Sequence, residues 1–223
     1  MKLLLTSAGV KNESIRAALL ELLGKPIEES SALCIPTASY GHAPGGIHGA
    51  FRFITGRATT PMTEFGWKSL GVLELTALPS LDDDRWVPVV RETDILLVNG
   101  GDALYLAHWM RESGLADLLP SLEDTVWLGL SAGSMVMTPR IGDDFKVWEP
   151  PGGGDAALGV VDFSICPHLA PDGEPGNSMA EAEAWAATLS NPCYAVDDET
   201  AFKVVDGEVE IVSEGSWRFF PSA

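Results

Sequence analysis

The sequence predicts an α/β fold of three layers, with helices on both faces of a doubly wound, mostly parallel sheet. Three observations favour it. Short apolar runs recur along the chain without polar alternation, as in strands buried on both faces. Amphipathic, helix-like stretches separate these runs. Small or turn-forming residues follow each run, as expected at the carboxyl edge of such a sheet, where ligands bind.

The first elements follow from this pattern. Four apolar runs predict buried strands, and they lie at residues 3–5, 32–36, 94–101 and 126–133. Between the first two, "NESIRAALLELLGK" predicts a helix with Asn12 as its N-cap and Gly24 at its end.

The small residues after these strands should meet at one edge of the sheet. They are found at 6–9, 36–39, 100–102 and 131. The segment 41–90 is rich in Gly, Pro and Trp and predicts one helix and an excursion from the sheet. Later, "LGVVDFSICP" predicts a further strand. The alternating segment 194–212 with its Asp206-Gly207 turn predicts closing antiparallel strands.

Composition limits the class of protein. The 223 residues are 46% hydrophobic, enough for one domain spanning 1–223. A net charge of -18 argues against a nucleic acid or an anionic membrane as partner. Three widely spaced cysteines and an N-terminal apolar run too short for a signal peptide predict a cytoplasmic protein with reduced thiols. The oligomeric state stays open, with a homodimer as one option.

The stretch Gly129-Leu130-Ser131-Ala132-Gly133 fits the Gly-x-Ser-x-Gly form of a nucleophile elbow. Small residues are common at any strand-to-helix turn, so this pattern alone is weak. A serine nucleophile needs a base, and His168 is the only histidine after Ser131. An isolated histidine is more often structural, but its place after a predicted strand could bring it to the edge that holds Ser131.

Two further groups complete a candidate site. "AVDDETAF" offers Asp197, Asp198 and Glu199 as a carboxylate to orient the imidazole. Gly100 and Gly101, together with the N–H of Ala132, could supply the backbone donors of an oxyanion hole. The simpler interpretation of the glycine pair is a tight turn.

Six motifs in order resemble the peptidase E (aspartyl dipeptidase) family of serine peptidases, distant relatives of cyanophycinase. They are "LLLTSAG", "IPTAS", "LLVNGGDALYL", "GLSAGSMVM", "ICPHL" and "VDDETAF", and they cover nearly the whole chain. The resemblance implies a fold similar to class I glutamine amidotransferases (flavodoxin-like). It also implies cleavage of small peptides after their N-terminal residue, without a metal or other cofactor.

Carried over by position, the resemblance makes Ser131 the nucleophile, His168 the base and Asp198 the acid, with Glu199 and Asp144 as alternative acids. It assigns the oxyanion hole to Gly100, Gly101 and Ala132.

The sequence departs from the family pattern in two ways. Asp102 stands where the family often has asparagine. The family's arginine after the catalytic histidine, which can pair with a substrate aspartate, has no counterpart, because no Arg or Lys occurs between His168 and Phe202. Strict specificity for N-terminal aspartate is therefore not expected. The replacement arginines that remain elsewhere are Arg16, Arg52, Arg57, Arg85 and Arg140.

Two other functions stay open. An α/β-hydrolase esterase would use an acid placed before His168, and the candidates are Asp143, Asp144, Asp155 and Asp162. Against it, the chain continues 55 residues beyond His168, whereas such enzymes usually carry the histidine near the C-terminus. A non-catalytic module that binds a small ligand on the same fold is the second alternative.

Overall fold

The computed structural model describes residues 1–42, 46–171 and 173–222. Its main sheet has seven strands in the order β3-β2-β4-β5-β1-β8-β9. The five strands from β3 to β1 are parallel, and β8 and β9 are antiparallel. These strands are β1 (Lys2–Thr6), β2 (Ser31–Ile35), β3 (Ser69–Val72), β4 (Ile95–Val98), β5 (Val126–Leu130), β8 (Thr200–Val205) and β9 (Glu208–Ser213).

A second, three-stranded sheet stands beside the first, in the order β10-β7-β6. It consists of β6 (Ser164–Cys166), β7 (Cys193–Val196) and β10 (Trp217–Phe220). The helices are α1 (Glu13–Leu23), α2 (Ala38–Gly41), α3 (Gly46–Ile54), α4 (Asp83–Arg91), α5 (Ala103–Glu112), α6 (Leu115–Leu118), α7 (Ala132–Met135) and α8 (Met179–Ala186).

Helices cover both faces of the main sheet, and the strand period of two divides the core accordingly. On β1, Leu3 and Leu5 pack in the cluster that contains α5 and α7, whereas Leu4 packs with α1 on the opposite face. Because both faces are covered, the central strands are apolar at successive positions. This confirms the predicted three-layer, mostly parallel sheet.

Two local predictions are confirmed in detail. The side chain of Asn12 accepts a hydrogen bond from Ile15 N at 2.9 Å, and Gly24 ends α1 in the left-handed conformation, with φ 67°. Asp206 and Gly207 both have positive φ, 52° and 84°, between the antiparallel strands β8 and β9. Two positive φ angles are what a type I′ hairpin turn requires.

The segments that the sequence resolved poorly contain more structure than predicted. Residues 41–90 hold two helices, α3 and α4, and also the edge strand β3, although residues 43–45 lie outside the described part. The strand expected over "LGVVDFSICP" is shorter, and it belongs to the second sheet rather than the first. Its leading residues form an irregular segment instead, in which Leu158 N and Val161 N donate to the carbonyls of Val136 and Met137.

Across the described ranges, no helix is long and apolar enough to cross a membrane. Nor do those ranges contain a group of three or more His, Cys, Asp or Glu side chains that could hold a metal ion.

Candidate active site

Ser131 occupies a strained turn between β5 and α7. Its backbone has φ 50° and ψ -109°, a region that non-glycine residues avoid. The two glycines of the motif are required by close packing. A Cβ atom on Gly129 would overlap the Gly133 carbonyl, and one on Gly133 would overlap the Val98 carbonyl. The sequence pattern therefore has a steric cause in this chain, and the turn holds the Ser131 hydroxyl beyond the carboxyl end of β5.

His168 meets Ser131 from the loop after β6. The distance from His168 Nε2 to Ser131 Oγ is 3.0 Å, across 37 positions of sequence. His168 also has a positive φ, 58°, and its loop is held because Leu169 N donates to the Val196 carbonyl at 2.9 Å. Strained backbone thus occurs at both residues of this contact, where the surrounding hydrogen bonds hold it in place.

Asp198 is the carboxylate that contacts the imidazole. The distance from Asp198 Oδ1 to His168 Nδ1 is 2.7 Å. An ionised carboxylate only accepts hydrogen bonds, so Nδ1 carries the proton and Nε2 is left to accept from the Ser131 hydroxyl. The hydrogen bond with His168 is the main cause that lowers the pKa of Asp198 below its usual value, against a smaller opposing effect of burial. The carboxylate is therefore ionised at neutral pH.

Three of the rival acids have other partners. Glu199 Oε2 accepts from Asn12 Nδ2 at 3.0 Å, and Asp155 binds Arg140 at 2.7 Å. Asp143 pairs with Lys146 at 3.0 Å. Within the described part of the chain, none of the carboxylates proposed for an esterase order hydrogen-bonds His168.

Ser7 is a site residue that the sequence did not identify. Its hydroxyl accepts from His168 N at 2.9 Å and donates to Asp198 Oδ1 at 3.0 Å. Ser7 is almost fully buried, at 1% exposure. The only signal was its place among the small residues after β1, at the edge where ligand-binding groups were expected to gather.

The glycine pair lies against Ser131. A Cβ atom on Gly100 would be 3.4 Å from Ser131 Cβ, and Gly101 has φ 143°, with Ala38 packed against its Cα. The Gly100 carbonyl accepts from Ser39 Oγ at 3.1 Å, and Ser39 in turn accepts from Asn99 Nδ2 at 2.7 Å. Because a trans peptide directs its C=O and N–H to opposite sides, Ser39 orients the Gly101 N–H away from itself.

Asp102 does not point into the site. It is the N-cap of α5, with Oδ1 accepting from Tyr105 N and Oδ2 from Trp148 N, both at 2.7 Å. The side chain is buried, and both of its oxygens bind backbone N–H groups. Asp102, which departs from the family pattern, therefore has a structural role: its carboxylate joins α5 to the loop that contains Trp148.

A cavity of about 440 Å³ opens at Ser131 and His168. Gly100, Gly101 and Ala132 form the wall where the predicted oxyanion donors lie. The lining also includes three apolar side chains and one carboxylate, and these are Met135, Phe145, Val147 and Asp144. The described lining contains no arginine or lysine, in agreement with the absence of these residues between His168 and Phe202 in the sequence.

The candidate replacement arginines are mostly engaged elsewhere. Arg140 is paired with Asp155, and Arg16 and Arg57 lie over the rings of Phe65 and Phe51. The two remaining candidates are Arg85 and Arg52. Arg85 is in α4, whereas Arg52 lines a second cavity on the other side of the glycine pair.

Comparisons with known proteins bear on the family and the fold of this chain. The sequence profile of peptidase family S51 matches residues 3–212. No curated protein sequence matches significantly. A peptidase E candidate from Listeria monocytogenes EGD-e is similar in fold, with a TM-score of 0.66, 16% identity, and coverage of 96% of this chain and 98% of that one.

A second solved structure, a peptidase from an acI-B1 Actinobacterium, superposes with a TM-score of 0.55 and 16% identity, covering 99% of this chain and 94% of the other. At this identity the two structures support the fold, and the profile match supplies the family. The chain belongs to peptidase family S51.

Proposed function

We propose that this peptidase is a serine hydrolase of the peptidase E type, which cleaves dipeptides and other small peptides after the N-terminal residue. One observation carries the proposal: the continuous hydrogen-bonded series Ser131, His168, Asp198, with distances of 3.0 and 2.7 Å. A hydroxyl, an imidazole and a carboxylate in this order form the arrangement that activates serine nucleophiles.

Each group has a defined step. His168 Nε2 takes the proton of Ser131 as the hydroxyl oxygen attacks the scissile carbonyl, and Asp198 stabilises the resulting imidazolium. The N–H groups of Gly101 and Ala132 donate to the oxyanion. His168 then protonates the leaving amine, which departs and leaves an ester on Ser131. Water, deprotonated by His168, hydrolyses that ester.

The cavity also supports a preference for the free N-terminus. Asp144 is exposed and lines the cavity that contains Ser131. We assign it the α-ammonium group of the substrate, which is one carbon away from the scissile carbonyl in a peptide cleaved after its first residue. The apolar side chains nearby favour a neutral side chain on that residue. An acidic one would meet the Asp144 carboxylate, so aspartyl peptides should be poor substrates.

Fluorophosphonate labelling tests the chemistry, because it requires an activated serine. We expect wild type to be labelled, and Ser131→Ala and His168→Ala to be unlabelled while remaining folded by circular dichroism. A folded wild type that resists the probe would contradict the proposal and favour a module that only binds ligand.

Substrate preference is tested with chromogenic Ala, Leu and Asp derivatives of one leaving group. We expect the Ala and Leu derivatives to be turned over faster than the Asp derivative. A strong preference for aspartate would contradict the specificity proposed here but not the serine mechanism.

A further inference from the structure

A second cavity of about 350 Å³ lies beside the one at Ser131, across the glycine pair. The two cavities share four lining residues, and these are His42, Thr60, Gly100 and Gly101. A molecule bound against one side of the predicted oxyanion loop can therefore extend into the other cavity without leaving the surface of the protein.

The charge of the second cavity is opposite to that of the protein. The chain has 32 acidic and 14 basic residues, yet the described lining of this cavity contains no Asp or Glu. It contains Arg52 and two histidines, His42 and His48. His48 and Arg52 lie four residues apart in α3, so their side chains share one face of that helix.

Arg52 has no competing partner in the described part of the chain. None of the ion pairs there uses its guanidinium, in contrast to Arg140, which holds Asp155 at 2.7 Å. Ser39 and Asn99 also line the cavity, but the Ser39 hydroxyl is already donated to the Gly100 carbonyl and accepts from Asn99 Nδ2. The guanidinium of Arg52 suits an anion with planar, bidentate acceptors, which is the geometry of a carboxylate.

We propose that this second cavity binds the free C-terminal carboxylate of a dipeptide substrate, with Arg52 as its main ligand. The inference rests on the proposed function, in which a dipeptide is cleaved after its first residue. The α-ammonium group lies near Asp144 on the Ser131 side, and the second residue, with its carboxylate, crosses the glycine pair towards Arg52. An extended dipeptide spans at most about 7 Å, so adjoining sites of opposite charge select for short zwitterionic substrates.

The kinetic test uses two matched substrates, Ala-Leu and Ala-Leu-amide, which differ only in the C-terminal charge. We expect wild type to have the lower KM for Ala-Leu. Arg52→Ala should raise that KM by about twofold to fivefold, because Arg52 is exposed and an exposed ion pair contributes only about 0.2–1 kcal/mol, with a much smaller change for the amide. Arg52→Lys should restore part of the preference. Arg57→Ala is the matched control, because it removes a nearby exposed arginine that does not line the cavity.

Two kinetic results would overturn the inference. Equal KM values for the acid and the amide in wild type, or an equal effect of Arg52→Ala on both, would show that no terminal carboxylate is bound there. A third substrate, Asp-Leu-amide, tests the other source of a carboxylate. If Arg52→Ala impairs this substrate and spares Ala-Leu, the cavity binds an acidic side chain, and the inference is wrong.

A binding measurement separates this inference from the proposed function. In Ser131→Ala, calorimetric titration with Ala-Leu and its amide reads the carboxylate contact without turnover. We expect tighter binding of the acid, lost in Ser131→Ala combined with Arg52→Ala. If wild type hydrolyses neither substrate but this binding difference remains, the proposed peptidase reaction fails and the carboxylate site stands. If both are hydrolysed and the difference is absent, only the carboxylate site fails.

Discussion

The hydroxyl of Ser7 donates a hydrogen bond of 3.0 Å to Asp198 Oδ1, between residues 191 positions apart in sequence. The same oxygen accepts the backbone N–H of His168 at 2.9 Å. One side chain from the end of β1 therefore joins the loop that carries the imidazole to the turn that carries the carboxylate. Because β1 is an interior strand, hydrogen-bonded to β5 and β8 on its two sides, both groups are attached to the framework of the sheet.

Ser7→Ala should lower kcat by about 10- to 100-fold, because it removes two hydrogen bonds that hold His168 and Asp198 in place. KM should change little, since Ser7 is buried and does not line the Ser131 cavity. Steady-state kinetics with one dipeptide separates the two constants. Ser14→Ala, which removes a serine hydroxyl bonded to Glu214, is the control. A change confined to KM would assign Ser7 to substrate binding instead.

Asp198→Asn should reduce kcat by about 10⁴-fold, as expected when an amide no longer selects the correct imidazole tautomer. Glu199→Gln should cost less than tenfold, because Glu199 binds Asn12 rather than His168. Measuring kcat of both variants with the same dipeptide shows which of the two carboxylates is the acid of the triad. A larger loss in Glu199→Gln would reverse the assignment.

The sequence predicted the parts of this fold that depend on local pattern. Buried parallel strands, the capped helix α1 and the Asp206-Gly207 hairpin each have a signal within a few residues. The motif order also predicted Ser131, His168 and Asp198 as the candidate catalytic residues, and the structure brings them within hydrogen-bonding distance. The steric need for Gly129 and Gly133 explains why that motif is informative in this chain.

The features that the sequence missed depend on contacts between distant segments. Ser7 has its role only through residues 161 and 191 positions away. The second sheet could not be seen either, because β6 is only three residues long and its partner β7 begins 27 positions later. Likewise, nothing near Arg52 in sequence shows that α3 brings it to the far side of Gly100.

Asp144→Asn should raise KM for peptides with a free N-terminus by about twofold to fivefold, because an exposed ion pair contributes only about 0.2–1 kcal/mol. The kcat should be retained, since Asp144 makes no hydrogen bond to His168 in the described part of the chain. N-acetylated peptides provide the comparison, because they lack the ammonium group. If kcat falls to the level of Asp198→Asn, Asp144 takes part in the proton transfer and the present assignment is wrong.

The three cysteine thiols should be unreactive in the folded protein. Burial raises the pKa of Cys34 and of Cys166 to about 12, and that of Cys193 to about 11. At pH 8 the thiolate fraction of Cys166 is therefore about 10⁻⁴. We expect negligible alkylation of the native protein by iodoacetamide and full activity in Cys166→Ser, with the urea-unfolded protein as the positive control. Rapid labelling of Cys166 coupled to inactivation would contradict this.

Asp102→Asn should destabilise the protein even though the family often has asparagine at this position. Asp102 uses one oxygen for Tyr105 N and the other for Trp148 N, and an amide has only one oxygen to accept with. Asp102 is 2% exposed, so the N–H that loses its acceptor stays buried. This should lower the free energy of unfolding by about 1–3 kcal/mol. Thermal unfolding should show a Tm lower by about 2–10 °C, with the exposed Asp117→Asn as the control. Since Trp148 follows the cavity residues Asp144, Phe145 and Val147, KM should rise as well. An unchanged Tm would mean that the loop at Trp148 does not depend on this carboxylate.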